Sequence, residues 1–182
     1  PLGGALARMI GEAVPGLQVT AEVTGGSVEN LNRVAAGEMD IGMAIGTTLV
    51  QAARGTDAGR YSAIRIIAPL YPNVAHILAA PGLAIDLLSE AGGLRISLGA
   101  PGSGTEQMAR DILAAHGLSV DDIRPQYLSF AESATALRDN AIDIAILSVG
   151  YPAAAVLEVT TTGGVRLLPI ESGPLQALLT AH

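Results

Sequence analysis

The sequence predicts an α/β protein in which short apolar strands alternate with helices, in two groups on either side of Pro81 to Gly93. Three observations predict it. Strand-like runs pass into helix-like runs through glycine-rich junctions at Thr24-Gly25-Gly26-Ser27 and at Gly99-Ala100-Pro101-Gly102-Ser103-Gly104. The unit Ala-Gly-Glu-Met-Asp-Ile-Gly at Ala36–Gly42, a helix end followed by Asp and an apolar strand, is echoed by Asp-Asn-Ala-Ile-Asp-Ile-Ala at Asp139–Ala145. Finally, 49% hydrophobic residues against 15% charged ones supply ample material for a core and argue against disorder.

Taken in order, Pro1 to Val14 fits a helix with Leu2, Leu6, Met9, Ile10 and Ala13 along one side, stopped by Pro15-Gly16. Leu17 to Val23 alternates as a strand does. The Thr24 to Ser27 turn opens a second helix that runs through Val34 and Ala35 to Gly37, and Asp40 to Ile45 reads as a buried strand. Arg54 to Ser62 is polar and reads as a surface loop, followed by two apolar strands, Ala63 to Leu70 and Val74 to Ala80. Ile85 to Leu88 suits a short helical turn, Leu94 to Leu98 a strand, and Thr105 to His116 a helix with Met108, Ile112 and Leu113 on its apolar side. The remaining elements are a strand at Pro125 to Leu128, a helix at Ala134 to Asp139 and a strand at Asp143 to Leu147. After them come a helix at Ala153 to Val159 with Pro152 in its first turn, a strand at Val165 to Ile170, and a helix from Pro174 to Thr180.

A strand that turns sharply into a helix aims unpaired backbone N–H groups at one spot, where the helix dipole favours negative charge. The Leu94–Gln107 stretch has that form. It lacks the lysine a phosphate-cradling P-loop needs, since Thr105 and Glu106 follow Gly104. It also lacks the Gly-x-Ser-x-Gly of a nucleophile elbow, since Pro101 and Thr105 flank Ser103. What remains is a loop of amides around Gly102 and Gly104 with the hydroxyls of Ser103 and Thr105, suited to holding a carboxylate rather than transforming one. The same residues also suit a plain turn with Thr105 as N-cap. Ser27 and Asn30 form a second candidate contact, with Ser27 as a simple N-cap as the other reading. Thr47 or Thr48 follows a strand at the end where open α/β sheets bind ligands. Ser129 stands at a third strand-to-helix junction.

Net charge is -7, every basic residue is Arg, and there is no cysteine. An acidic surface argues against nucleic acid. The absence of lysine removes Schiff-base chemistry, and the absence of cysteine removes thiolate catalysis and cysteine metal sites. His76, His116 and His182 stand far apart in sequence, so no metal site and no cofactor are expected. No run of about 18 apolar residues is present.

Pro-Leu-Gly-Gly-Ala-Leu-Ala at Pro1–Ala7, Thr-Gly-Gly-Ser-Val-Glu-Asn-Leu at Thr24–Leu31, Leu-Gly-Ala-Pro-Gly-Ser-Gly-Thr-Glu at Leu98–Glu106 and Tyr-Leu-Ser-Phe-Ala-Glu at Tyr127–Glu132 resemble the TAXI group of solute receptors of TRAP transporters. The resemblance covers nearly the whole chain in order. It implies a two-lobed periplasmic-binding-protein fold of the second type: lobe one at residues 1–80, lobe two at 81–170, and the start of a return to lobe one at 171–182. It implies a non-enzymatic, periplasmic receptor with a signal peptide upstream, capturing a glutamate-like amino acid or other small carboxylate and delivering it to a TRAP membrane subunit. Ser103, Gly104 and Thr105 would then hold the ligand from lobe two and Thr24, Ser27 and Thr47 from lobe one. The lobes would close about crossings near Pro81 and Ile170, with Tyr71 lying against the ligand. Two departures stand out. The family's leading strand and its Gly-Thr-Gly-Gly-Thr-Tyr-Tyr-like loop have no counterpart here, so lobe one is expected to be incomplete. Gly46-Thr47-Thr48 also replaces the Gln-Ser-Asp of many members. The alternative is a cytosolic effector-sensing domain of a transcription regulator, which uses the same fold.

Overall fold

The computed structural model of the protein describes residues 2–162 and 164–181. In chain order the described residues form α1 (Leu2–Ala13), α2 (Ser27–Ala36), α3 (Gly46–Arg54), β1 (Asn73–Ala79), β2 (Arg95–Ser97) and α4 (Gly104–Ala115). Then come β3 (Arg124–Gln126), α5 (Phe130–Arg138), β4 (Ile144–Gly150), α6 (Ala154–Thr162), β5 (Arg166–Leu168) and α7 (Ser172–Ala181). Pro1 and His182, both named in the sequence reading, lie outside the described residues.

All five strands join one sheet in the order β3-β2-β4-β1-β5. β2 is parallel to β3 and β4, and β1 is antiparallel to β4 and β5. A parallel pair needs a crossover, which α4 and α5 provide. Side chains alternate across a strand, so β1 and β4 feed two cores. Ile77, Ala79, Ile144 and Ile146 pack with Ile112 and Leu113 of α4. Leu78, Ala145 and Leu147 pack with Leu137 of α5 and Val156 and Val159 of α6. Helices therefore cover both faces, which is why these strands read as continuous apolar runs.

The β2–β4 junction is pinned by one ion pair. Arg95 donates its backbone N–H and its Nε to Asp143 Oδ2 at 2.7 and 3.0 Å, and its Nη2 to Oδ1 at 2.7 Å. The hydrogen bonds from the Arg95 side chain hold the Asp143 carboxyl below the usual carboxylate range. One buried polar pair, Ser97 Oγ and Ser133 Oγ at 2.7 Å, ties β2 to α5.

The first part of the chain differs from the sequence reading. Leu17–Val23, Asp40–Ile45 and Ala63–Leu70 were expected as strands, yet none of them pairs with another segment of the described chain. A strand is completed by a neighbouring strand that takes its N–H and C=O groups in register, and these segments find no such strand among the described residues. Their apolar side chains stay exposed, with Val23 at 100%, Ile66 at 73% and Ile67 at 77%. Conversely α3, which went unforeseen, occupies Gly46–Arg54, with a 3-10 turn at Ala58–Tyr61 after it. Asn73–Ala79, expected in lobe one, is the strand next to β5 in the single sheet.

Candidate functional site

Open α/β sheets present ligands at the carboxyl ends of strands where successive connections leave in opposite directions. Here the chain leaves β2 for β3 on one side, while β4 lies on the other side of β2. Two segments therefore emerge together: the Gly99–Gly104 turn after β2, and Ser148 to Pro152 at the end of β4. β1 begins at the same end, since Asn73 pairs with Gly150, and this brings Tyr71 there too. The Tyr71 ring lies so close to Gly150 that a β-carbon on that glycine would sit 3.0 Å from it. Tyr71, Pro72, Val149, Gly150, Tyr151 and Pro152 line a pocket of about 340 Å³.

The glycine turns have a geometry that the sequence only partly indicates. Gly99 and Gly102 have φ of 96° and 69°, in the left-handed region that favours glycine. Ser103, rather than Thr105, caps α4: its Oγ accepts the Glu106 N–H at 3.1 Å. Thr105 packs over Gly99, where a β-carbon would meet its Cγ2 at 2.8 Å. At the other turn Gly26, not Ser27, is the N-cap. The Ser27 hydroxyl instead accepts the Ile45 N–H at 3.0 Å. Thr24 Oγ1 donates to Asn30 Oδ1 at 2.7 Å, and Asn30 Nδ2 donates to the Met43 carbonyl at 2.7 Å. Ser27 and Asn30 thus hold the segment leading into α3 against α2.

The amides expected to attract an anion already meet one. Gly25 donates its N–H to Glu29 Oε2 at 2.7 Å, and Gly102 donates to Glu106 Oε2 at 2.8 Å. Arg110 then pairs with Glu106 at 2.8 Å and donates to the Tyr127 hydroxyl at 3.1 Å. Glu106, the residue that breaks the P-loop pattern, is the turn's own counter-ion. Ser129 is engaged in the same way at α5: its Oγ accepts from Glu132 N at 3.4 Å, and its N–H donates to Glu132 Oε2 at 2.8 Å.

The two turns touch. Val28 N–H donates to the Gly102 carbonyl at 3.2 Å. The structure thus brings Ser27 and the Gly25-Gly26 pair together with Ser103 and Gly104, leaving Thr47 and Tyr71 on separate pockets. Thr47 opens onto an apolar pocket of about 340 Å³ with Met108, Ile112, Leu175 and Leu178.

Among the described residues two buried hydroxyls have no hydrogen-bond partner, Thr48 Oγ1, which the sequence offered beside Thr47, and Ser148 Oγ, which it did not single out. Their shared signal is the repeated unit: each lies just past an Asp-led apolar segment, Asp40 to Ile45 and Asp143 to Leu147. Buried hydroxyls without partners are costly. Tyr151, 78% exposed, was likewise missed. Among the described residues no group of His, Asp or Glu is arranged to hold a metal ion.

The sequence pattern of the NMT1-like family matches residues 1–182. The chain belongs to the NMT1-like family. Its fold is the α/β fold of periplasmic binding proteins. It superimposes on the alkanesulfonate-binding protein SsuA from Xanthomonas axonopodis pv. citri bound to MOPS with a TM-score of 0.61 and 23% identity, covering 94% of this chain and 57% of that one. The periplasmic aliphatic sulphonate binding protein SsuA from Escherichia coli gives 0.54 and 20%, covering 91% and 51%. An ancestral arginine-binding protein bound to arginine gives 0.57 and 16%, covering 98% and 79%. This NMT1-like chain therefore spans about half the length of the two SsuA structures. At these identities the likeness establishes the fold, and the NMT1-like match establishes the family.

Proposed function

We propose that this NMT1-like chain is the solute-binding component of a transport system, taking a small polar solute at the β2/β4 end of the sheet. The observation that carries this reading is the pocket in which Tyr71 and Tyr151 meet at the end of β4, the strand that also carries the unpartnered Ser148 hydroxyl. The residues that line this pocket bring two tyrosines and no carboxylate, His or Lys, which supports binding without chemistry. Residues ahead of β1 act as one half of the receptor and the sheet body, with α7 fastened to α4, as the other.

The finer reading keeps the TAXI resemblance. The cargo is a small carboxylate or amino acid, the receiver a TRAP-type membrane subunit, and the location extracytoplasmic. Because the structural relatives bind alkanesulfonates and arginine, the screen should span all three classes. A ligand at 100 times its dissociation constant adds about 2.7 kcal/mol of stability. A thermal-shift series with L-glutamate, L-arginine and ethanesulfonate, beside Ser148→Ala and Tyr71→Ala, tests the reading. A shift with one compound that both variants abolish is expected. No shift with any of them, or a shift that both variants retain, would remove this site.

A further inference from the structure

Gly25, Gly26 and Gly104 let the two turns approach each other closely. A β-carbon on Gly26 would lie 3.1 Å from both Cα and Cβ of Ser103, and one on Gly25 would lie 3.2 Å from the Pro101 carbonyl oxygen. The tightest case is Gly104, where a β-carbon would meet Ile45 Cδ1 at 2.6 Å and Ser27 Oγ at 2.8 Å. Gly104 opens α4 and is itself buried. Its partners Ser27 and Ile45 belong to the first part of the chain, and the Val28-to-Gly102 hydrogen bond crosses the same seam. Backbone flexibility does not explain Gly104, which is the first helical residue of α4 and has no positive φ. Alanine is a better helix former than glycine. Close approach is the remaining reason for a glycine at that position.

The geometry points to Gly104, with Gly26 across the seam, as positioning residues that set how far the two halves close. Resting on the capture reading above, this assigns the glycine seam to closure and leaves solute contact to the Tyr71–Ser148 end of the site. A ligand that needs the closed form binds in proportion to the population of that form, so the seam tunes affinity without touching the solute. Carbon atoms in contact sit about 3.5 to 4.0 Å apart. One methyl group at Gly104 therefore needs about 1 Å more room on the Ile45 side, and Ser27 Oγ and Ile45 Cγ1 stand in its way beside the more flexible Cδ1.

The chain has no cysteine, so Ala36→Cys on α2 and Ala114→Cys on α4, both exposed, accept spin labels without background. Gly104→Ala is expected to lengthen and broaden the distance between them. Gly46→Ala, at the same first position of α3 with nothing within 4 Å of its β-carbon, should leave the distance unchanged. Ile45→Ala combined with Gly104→Ala should shorten it again, because the closest clashing atoms are gone and only Ser27 Oγ remains against the new methyl group. Ile45→Phe presses on the same contact from the other side and should also lengthen it, which covers the case of a poorly folded Gly104→Ala protein. A Gly104→Ala distance equal to wild type, or one that Ile45→Ala does not shorten, overturns the inference. Wild-type distances indifferent to L-glutamate, L-arginine and ethanesulfonate would count against the capture reading instead, because the seam is judged on the unliganded variants alone.

Discussion

Gly102 donates its backbone N–H to the Glu106 carboxylate at 2.8 Å, while the Glu106 N–H returns a hydrogen bond to Ser103 Oγ at 3.1 Å. The turn after β2 is thus closed by its own helix. The same reciprocal arrangement joins Ser129 and Glu132 at the start of α5. Two junctions of the sheet body are therefore built to stand without a ligand.

This gives the first prediction. Ser103→Ala should lower stability by about 1 kcal/mol, the usual cost of losing a serine N-cap, and Ser103→Asp should retain most of it. Urea unfolding followed by circular dichroism measures both. If Ser103 serves only as a cap, the affinity of whichever solute binds the site should be the same in Ser103→Asp as in wild type.

The Arg95–Asp143 pair makes stability depend on acid. The Asp143 carboxyl is held below its ordinary value by hydrogen bonds from Arg95. Its contribution is therefore complete above about pH 4, where the unfolded chain's carboxylates are ionised as well. It is lost as pH falls through the lowered folded value. Urea midpoints measured from pH 6 down to pH 2.5 should fall across the acid end of that range. Asp143→Asn should start lower at pH 6 and lose less on acidification.

The two cores should respond alike, because β4 alternates between them. Ile146→Ala on one face and Leu147→Ala on the other, with exposures of 0% and 2%, should each cost about 2 to 5 kcal/mol. Ile66→Ala, at 73% exposure, should change stability by no more than about 0.5 kcal/mol. A large loss at Ile66 would mean that its segment is covered in solution.

Both ring nitrogens of the buried His116 face oxygen acceptors, Nδ1 the Ile112 carbonyl at 2.7 Å and Nε2 the Glu171 carboxylate at 2.8 Å. Glu171 immediately precedes α7, so this residue fastens the last helix to α4. His116→Ala should speed amide hydrogen exchange in α7 by tenfold or more, the effect of about 1.4 kcal/mol of local stability, with little change in β4.

Several features were legible in the sequence because they are local. Apolar residues at consecutive positions of β1 and β4 announced strands buried on both faces. The helix ends at Gly37 and Gly117 were readable from glycine alone, and the strand-to-helix junctions from their Gly, Ser and Thr residues. Thr105 was read as the cap where Ser103 serves, since adjacent hydroxyls at a turn look alike until the backbone fixes which one meets an amide. The tertiary structure decided the rest. Leu17–Val23 and Ala63–Leu70 carry strand patterns, yet a strand needs a partner's hydrogen bonds, and pattern alone cannot say whether one is there. Gly104 looks in sequence like any glycine of a phosphate-type loop. Only the approach of Ile45 and Ser27, residues distant along the chain, shows that its missing side chain makes room for protein. Local preference is written in neighbours a few positions apart; pairing and close approach depend on which distant segments the fold brings together.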